Sequence, residues 1–221
     1  MSIRTVFFDL DATLWPPHSV ALPAFHQVLK ELAQPVPGDE VLLGTLGYPT
    51  EEIWQQLMPN ATPELQQQAN ALMGKTELAL LEQGRAQTFP GVSATLQRLH
   101  DAGLVLCILS NCDSVYLQAV PDALDIGHYF NERFCAGDYP GLTKSEILRQ
   151  VLPRFRQPAA MVGDRWHDIE AGRDNGLLTI GCAFGLGEEQ ESLEADYRIH
   201  DFRELEQLLL GLISANAGTI E

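Results

Sequence analysis

The chain has 221 residues, and its 30 acidic side chains against 14 basic ones leave a formal charge of −16. A field this negative repels phosphate backbones and anionic lipid surfaces, which argues against nucleic-acid and membrane partners, but it does not repel divalent cations. A hydrophobic content of 45% fits a globular fold rather than a disordered chain, and no apolar run approaches the about 20 residues that span a bilayer.

The first strong pattern is Thr5-Val-Phe-Phe-Asp-Leu10, a short β-branched and aromatic run that reads as a strand buried on both faces. The start of the chain shows no apolar leader before Asp9, and the four cysteines (Cys107, Cys112, Cys135 and Cys182) form no CxxC pair. A cytoplasmic protein of a reducing compartment is the expectation.

Residues 16–85 contain no convincing strand. Helical patterns are predicted over Val20–Ala33, Glu40–Leu46, Glu51–Met58 and Pro63–Gln83, divided by turns rich in proline and glycine. Thr62-Pro63 reads as an N-cap followed by a first-turn proline. Beyond residue 86 the pattern changes to alternation. Strands are predicted at Leu104–Leu109, Arg133–Cys135, Pro158–Val162, Leu177–Gly181 and Tyr197–Ile199. Helices are predicted at Val92–Ala102, Ser114–Ala123, Ser145–Val151, His167–Asn175 and Phe202–Leu212. Such alternation implies crossover units and a doubly wound parallel sheet of Rossmann-like type. The expected organisation is a core of residues 1–15 and 86–221 with an all-helical cap, 16–85, inserted after the first strand. Linkers at about 14–19 and 84–90 would serve as a hinge, and the tail after Leu212 is expected to fray.

In an open parallel sheet, ligands bind at the carboxyl ends of the strands. Four groups of residues are predicted to stand there. Asp9-Leu-Asp11-Ala-Thr13 follows the first strand, and Ser110-Asn111 ends the second. Lys144 opens a helix, where its charge opposes the dipole. Gly163-Asp164-Arg-Trp-His-Asp168 follows a later strand and sets two carboxylates four residues apart.

In chain order these residues resemble the haloacid dehalogenase superfamily of phosphohydrolases, whose pattern is DxDxT, a strand-terminal Ser or Thr, Lys, then GDxxxD. The helical insert and Phe89-Pro-Gly-Val92 resemble its phosphoglycolate-phosphatase-like branch. Ala12 departs from the usual glycine, and Trp15-Pro-Pro17 departs from the usual polar segment. The resemblance implies a Mg²⁺-dependent hydrolase of a small phosphorylated metabolite. In it Asp9 is nucleophile and metal ligand, and Asp11 is acid and base with its carbonyl on the metal. Asp164 and Asp168 complete the metal shell, directly or through water. Ser110, the Asn111 amide and Lys144 hold phosphoryl oxygens, and Thr13 orients the loop. A phosphomutase of the same superfamily is the alternative, followed by a retired fold kept for protein binding. Retention of Asp11 argues against a dehalogenase.

Two other patterns carry less. Residues 69–76 nearly match a P-loop, but they read as helix and lack the first glycine. Trp54 and Phe25 read as cap core, the turn Leu42–Tyr48 should face the site through Thr45 and Tyr48, and His167 is expected to stay outside the chemistry.

Overall fold

The computed structural model describes residues 3–187 and 189–214. Of the tail after Leu212, expected to fray, Ile213 and Ser214 are helical and the rest lies outside the described residues. Six strands form one sheet: β1 (Thr5–Phe8), β2 (Val105–Ser110), β3 (Glu132–Cys135), β4 (Ala159–Gly163), β5 (Leu178–Cys182) and β6 (Tyr197–Ile199). Their order is β3-β2-β1-β4-β5-β6 and every pairing is parallel. This is the expected Rossmann-like architecture, in which strand order reverses about β1 and opens a crevice at the carboxyl ends.

Alternation along the strands sorts the core into two layers. Val6 and Phe8 of β1 join Leu106, Ile108 and Val162 beneath α5 (Val92–Asp101), α6 (Ser114–Ala123) and α10 (Glu204–Ser214). Phe7 points the other way, with Cys107, Leu109 and Met161, onto α7 (Lys144–Val151) and α8 (Trp166–Asp174). A short α9 (Glu189–Leu193) lies between β5 and β6.

Between β1 and α5 the chain builds an all-helical cap: α1 (His18–Glu31), α2 (Asp39–Gly44), α3 (Thr50–Leu57) and α4 (Pro63–Leu81). It has its own apolar centre, with Phe25, Leu29, Leu42, Trp54 and Met73 among the residues that build it. The Thr62 hydroxyl accepts from the Leu65 amide at 3.3 Å and Pro63 takes the first turn, so α4 starts where its cap signal predicts. It runs through residues 69–76, which removes the P-loop alternative. The two linkers run side by side. The Phe89 amide donates to the Leu14 carbonyl at 3.2 Å, and the Ser19 hydroxyl to the Arg85 carbonyl at 3.1 Å.

Candidate active site

Strand register brings the separate motifs to one level. Phe8 is paired with Ile108 on one side and Val162 on the other, so Asp9, Ser110 and Gly163-Asp164 all leave the sheet at the same edge. Gly163 is required there, because a Cβ would overlap the Asp168 carboxyl. Lys144 reaches the same edge as the first residue of α7, whose start is fixed by a reciprocal capping box between Thr143 and Glu146.

Lys144 is 4% exposed, and Nζ donates to Asp9 Oδ1 at 2.7 Å and to Asp168 Oδ1 at 2.6 Å. Burial alone would lower its pKa, but Asp168 and Asp9 outweigh burial and hold the ammonium well above the ordinary lysine value. Asp168 Oδ2 accepts from the Arg165 amide at 3.0 Å. Asp164 Oδ2 accepts from the amides of Leu186 and Gly187 at 2.8 and 3.1 Å, and Thr13 donates to Asp164 Oδ1 at 3.4 Å. Thr13 is thus buried beneath Asp164 and is not among the residues lining the pocket.

Carboxylate oxygens of Asp9, Asp164 and Asp168 lie within 4.8 Å of one another. Burial, with Asp9 adding repulsion, pushes Asp168 up to about 7, with Lys144 pulling the other way. Burial, Asp9 and Asp168 likewise push Asp164 well above the carboxylate range. Three carboxylates around one ammonium leave two uncompensated charges when all are ionised. Asp9 Oδ2 is buried with no hydrogen-bond partner at all. An orphaned carboxylate oxygen among all-oxygen donors fits a hard divalent cation.

Asp11 is held apart from this cluster. Its Oδ1 accepts from Trp15 Nε1 and from the Tyr116 hydroxyl, each at 2.9 Å. Burial and the nearby Asp9 raise its carboxyl to about 7 against the pull of those two donors. The turn that aims it passes through Ala12 at φ +60°, the left-handed region in which glycine is at ease, and closes with the Ala12 amide on the Trp15 carbonyl.

Asp9, Asp11, Ser110 and Asn111 face a pocket that encloses about 650 Å³, counting its open mouth, between the sheet edge and the cap. Hydrogen bonds from two core residues reach the cap. Asn111 Nδ2 donates to the Gly47 carbonyl at 2.8 Å. Arg165 reaches up from the fourth motif to the carbonyls of Gly44 and Leu46 at 3.4 and 3.3 Å and stacks on Tyr48, 4.8 Å from its ring centre. Of the two residues expected from the Leu42–Tyr48 turn, Tyr48 lines the pocket and Thr45 does not. The Thr45 hydroxyl turns back to the Leu42 carbonyl at 2.8 Å. Phe25 and Trp54 belong to the cap core and also form pocket wall. His167 sits edge-on to Tyr48 and stacked on Trp166, and burial depresses its pKa to about 3, so it stays neutral.

Sequence reasoning missed Trp15, Tyr116, Glu77, Asp113 and Arg165. The Gly185-Leu-Gly187 loop carries no motif of its own, yet the Leu186 and Gly187 amides donate to Asp164. Of the five side chains, Trp15, Asp113 and Arg165 stood inside or within two residues of a motif.

A family model described as haloacid dehalogenase-like hydrolase matches residues 3–176. The chain is 25% identical to the phosphoglycolate phosphatase of Vibrio cholerae over a 225-residue alignment that covers 95% of this chain and 98% of that one. It is 27% identical to the probable phosphatase IndB of Dickeya dadantii over 190 residues, 82% of this chain and 81% of the other. Among solved structures, a haloacid dehalogenase-like family protein from Streptococcus pneumoniae superposes with a TM-score of 0.77 at 25% identity, covering 92% and 96% of the two chains. CbbY from Rhodobacter sphaeroides, in complex with phosphate, shares the fold with a TM-score of 0.80 at 20% identity over 92% and 96%.

Proposed function

Because the chain belongs to the haloacid dehalogenase-like hydrolases, we propose that it is a Mg²⁺-dependent phosphatase of small phosphate monoesters, working through an aspartyl-phosphate on Asp9. The observation that carries this reading is Asp9 itself. It is buried on the pocket wall at the end of β1 with Oδ2 unpartnered, beside an Asp11 carboxyl whose pKa is raised to about 7.

The carboxylates of Asp9, Asp164 and Asp168, with the Asp11 carbonyl, would hold the ion. When bound, it neutralises the dianionic substrate and allows one anion to approach another. Lys144 fixes Asp9 and Asp168, and its third N–H is left for a phosphoryl oxygen, alongside the Ser110 hydroxyl and the Asn111 amide. Thr13 keeps Asp164 in place. An Asp9 oxygen attacks phosphorus and the ester P–O bond breaks. The leaving alkoxide takes the proton of the Asp11 carboxyl, which is half protonated near neutrality. Asp11, now a carboxylate, takes a proton from the water that attacks the aspartyl-phosphate. Inorganic phosphate leaves and Asp9 is restored.

We assign residues 16–85 as the cap and the paired linkers as its hinge, with Arg165 and Asn111 as the contacts that hold it over the site. The test is phosphate release from phosphate monoesters with Mg²⁺. Asp9→Asn should fall to background while remaining folded, and retained turnover would refute the nucleophile.

A further inference from the structure

The wall that meets a leaving group belongs largely to the cap. Along α4, Asn70, Met73, Gly74 and Glu77 recur at spacings of three and four residues and share the face that lines the pocket. At Gly74 the helix is bare, and a Cβ there would stand 3.8 Å from Asp113 Oδ2, which rises from the core side. The other oxygen of Asp113 caps α6, accepting from the Tyr116 amide at 2.9 Å, so Oδ2 is the one turned to α4. Glu77 lies nearly one turn further along, close to Asp11 and Asp113. Burial and those two carboxylates push its own carboxyl well above the ordinary range.

No cation answers this cluster. Among the described residues, no lysine, arginine or histidine lines the pocket. Lys144 is engaged by Asp9 and Asp168, and Arg165 by Tyr48 and the carbonyls of the cap. Much of the remaining wall is apolar, from Phe25, Ile53 and Met73. Beside them Trp54 is 2% exposed, and its indole N–H is buried with no acceptor in the protein. A carboxylate brought here would meet the Glu77 and Asp113 carboxyl groups with no cation beside them, whereas a hydroxyl or an ammonium can donate to them, and a hydroxyl oxygen can also accept from the Trp54 indole.

We propose that Glu77 and Asp113 select a phosphate monoester whose alcohol carries a hydrogen-bond donor at its far end, a hydroxyl or an ammonium group, and no carboxylate. This rests on the phosphatase reading and narrows its substrate class. It also separates the chain from the phosphoglycolate phosphatases it is similar to, because the far end of glycolate is a carboxylate.

Three esters on one two-carbon skeleton isolate that far end: 2-phosphoglycolate, 2-hydroxyethyl phosphate and O-phosphoethanolamine. Phosphate release with Mg²⁺ should give kcat/KM at least about tenfold higher for the hydroxyl or the ammonium ester than for the carboxylate. Glu77→Gln keeps the shape and removes the ionisable carboxyl, so it should narrow that gap several-fold by raising turnover of 2-phosphoglycolate. A lead for the ammonium ester assigns charge pairing, and parity with the hydroxyl ester assigns hydrogen bonding. The proposal is overturned if 2-phosphoglycolate is the best of the three, or if the gap is the same in a folded Glu77→Gln variant. It is also overturned if neither donor-bearing ester is hydrolysed while p-nitrophenyl phosphate is. Release from none of the four compounds overturns the phosphatase reading itself, and this proposal falls with it.

Discussion

Replacing Lys144 by methionine keeps most of the side-chain volume and removes the charge that two buried carboxylates share. In the parent, Nζ stands 2.7 Å from Asp9 Oδ1 and 2.6 Å from Asp168 Oδ1, with Asp164 in the same cluster. Breaking a buried ion cluster by deleting one partner costs about 3–5 kcal/mol. A chain of this size moves by about 2–4 °C per kcal/mol, so Tm should drop by roughly 6–20 °C in chelator. The pH dependence follows from the carboxylates left behind. Burial and Asp9 already hold Asp168 near 7 against an ordinary 3.8, and without the ammonium it rises further. A carboxyl whose folded pKa is raised gives up stability as pH climbs from its unfolded value through the folded one. The deficit of Lys144→Met should therefore be small at about pH 5 and largest at about pH 8. Added Mg²⁺ should recover part of it, because a cation binds only the folded cluster. Scanning fluorimetry across that range, in chelator and then in Mg²⁺, measures all three effects. A variant melting within about 2 °C of the parent at the alkaline end would show that Lys144 does not neutralise the cluster.

Arg165→Ala removes two hydrogen bonds to the cap and the stacking on Tyr48. Losing about 1.5–3 kcal/mol of cap contact should raise KM roughly tenfold or more with a smaller change in kcat, and an unchanged KM would remove Arg165 from cap closure. Activity should disappear in chelator, return with Mg²⁺ and be inhibited by Ca²⁺, whose larger, looser shell lets both oxygens of Asp9 bind; full turnover in chelator would refute the metal site. Glu77→Gln should also act on stability: the parent Glu77 ionises at its ordinary 4.5 when unfolded but well above that when folded, beside Asp11 and Asp113. The parent therefore loses stability as pH rises past 4.5. The variant should match it in acid and melt higher in mild alkali, and a pH-independent difference in Tm would refute the burial of that charge.

Much of the carboxylate-lined sheet edge was legible because local chemistry wrote it. A short apolar run, β-branched and aromatic, ending in Asp9-Leu-Asp11 reads as a buried strand delivering carboxylates to its own carboxyl end, and β1 is that strand. Gly163 marks the close approach of Asp168, and the lysine at the head of α7 opposes the helix dipole unless an anion answers it. The helical insert was equally plain from its 3.6-residue period and cap signals. Thr45 was misplaced because a turn's sequence does not say which hydroxyl its own backbone will take.

The leaving-group wall was different in kind. In sequence, Glu77 is one more polar residue on a long helix, and Asp113 is an N-cap like many others. Nothing in the sequence around Tyr116 and Trp15 marks them as partners of Asp11, yet both donate to it. Arg165 lies at an unspecified position of GDxxxD and reaches the cap. What makes these residues a surface is the docking of α4 against α6 and the descent of the cap onto the sheet edge. Spacing along a helix says which residues share a face, but only packing between segments far apart in the chain decides what that face meets, because burial, and the charge interactions it strengthens, arise at the contact.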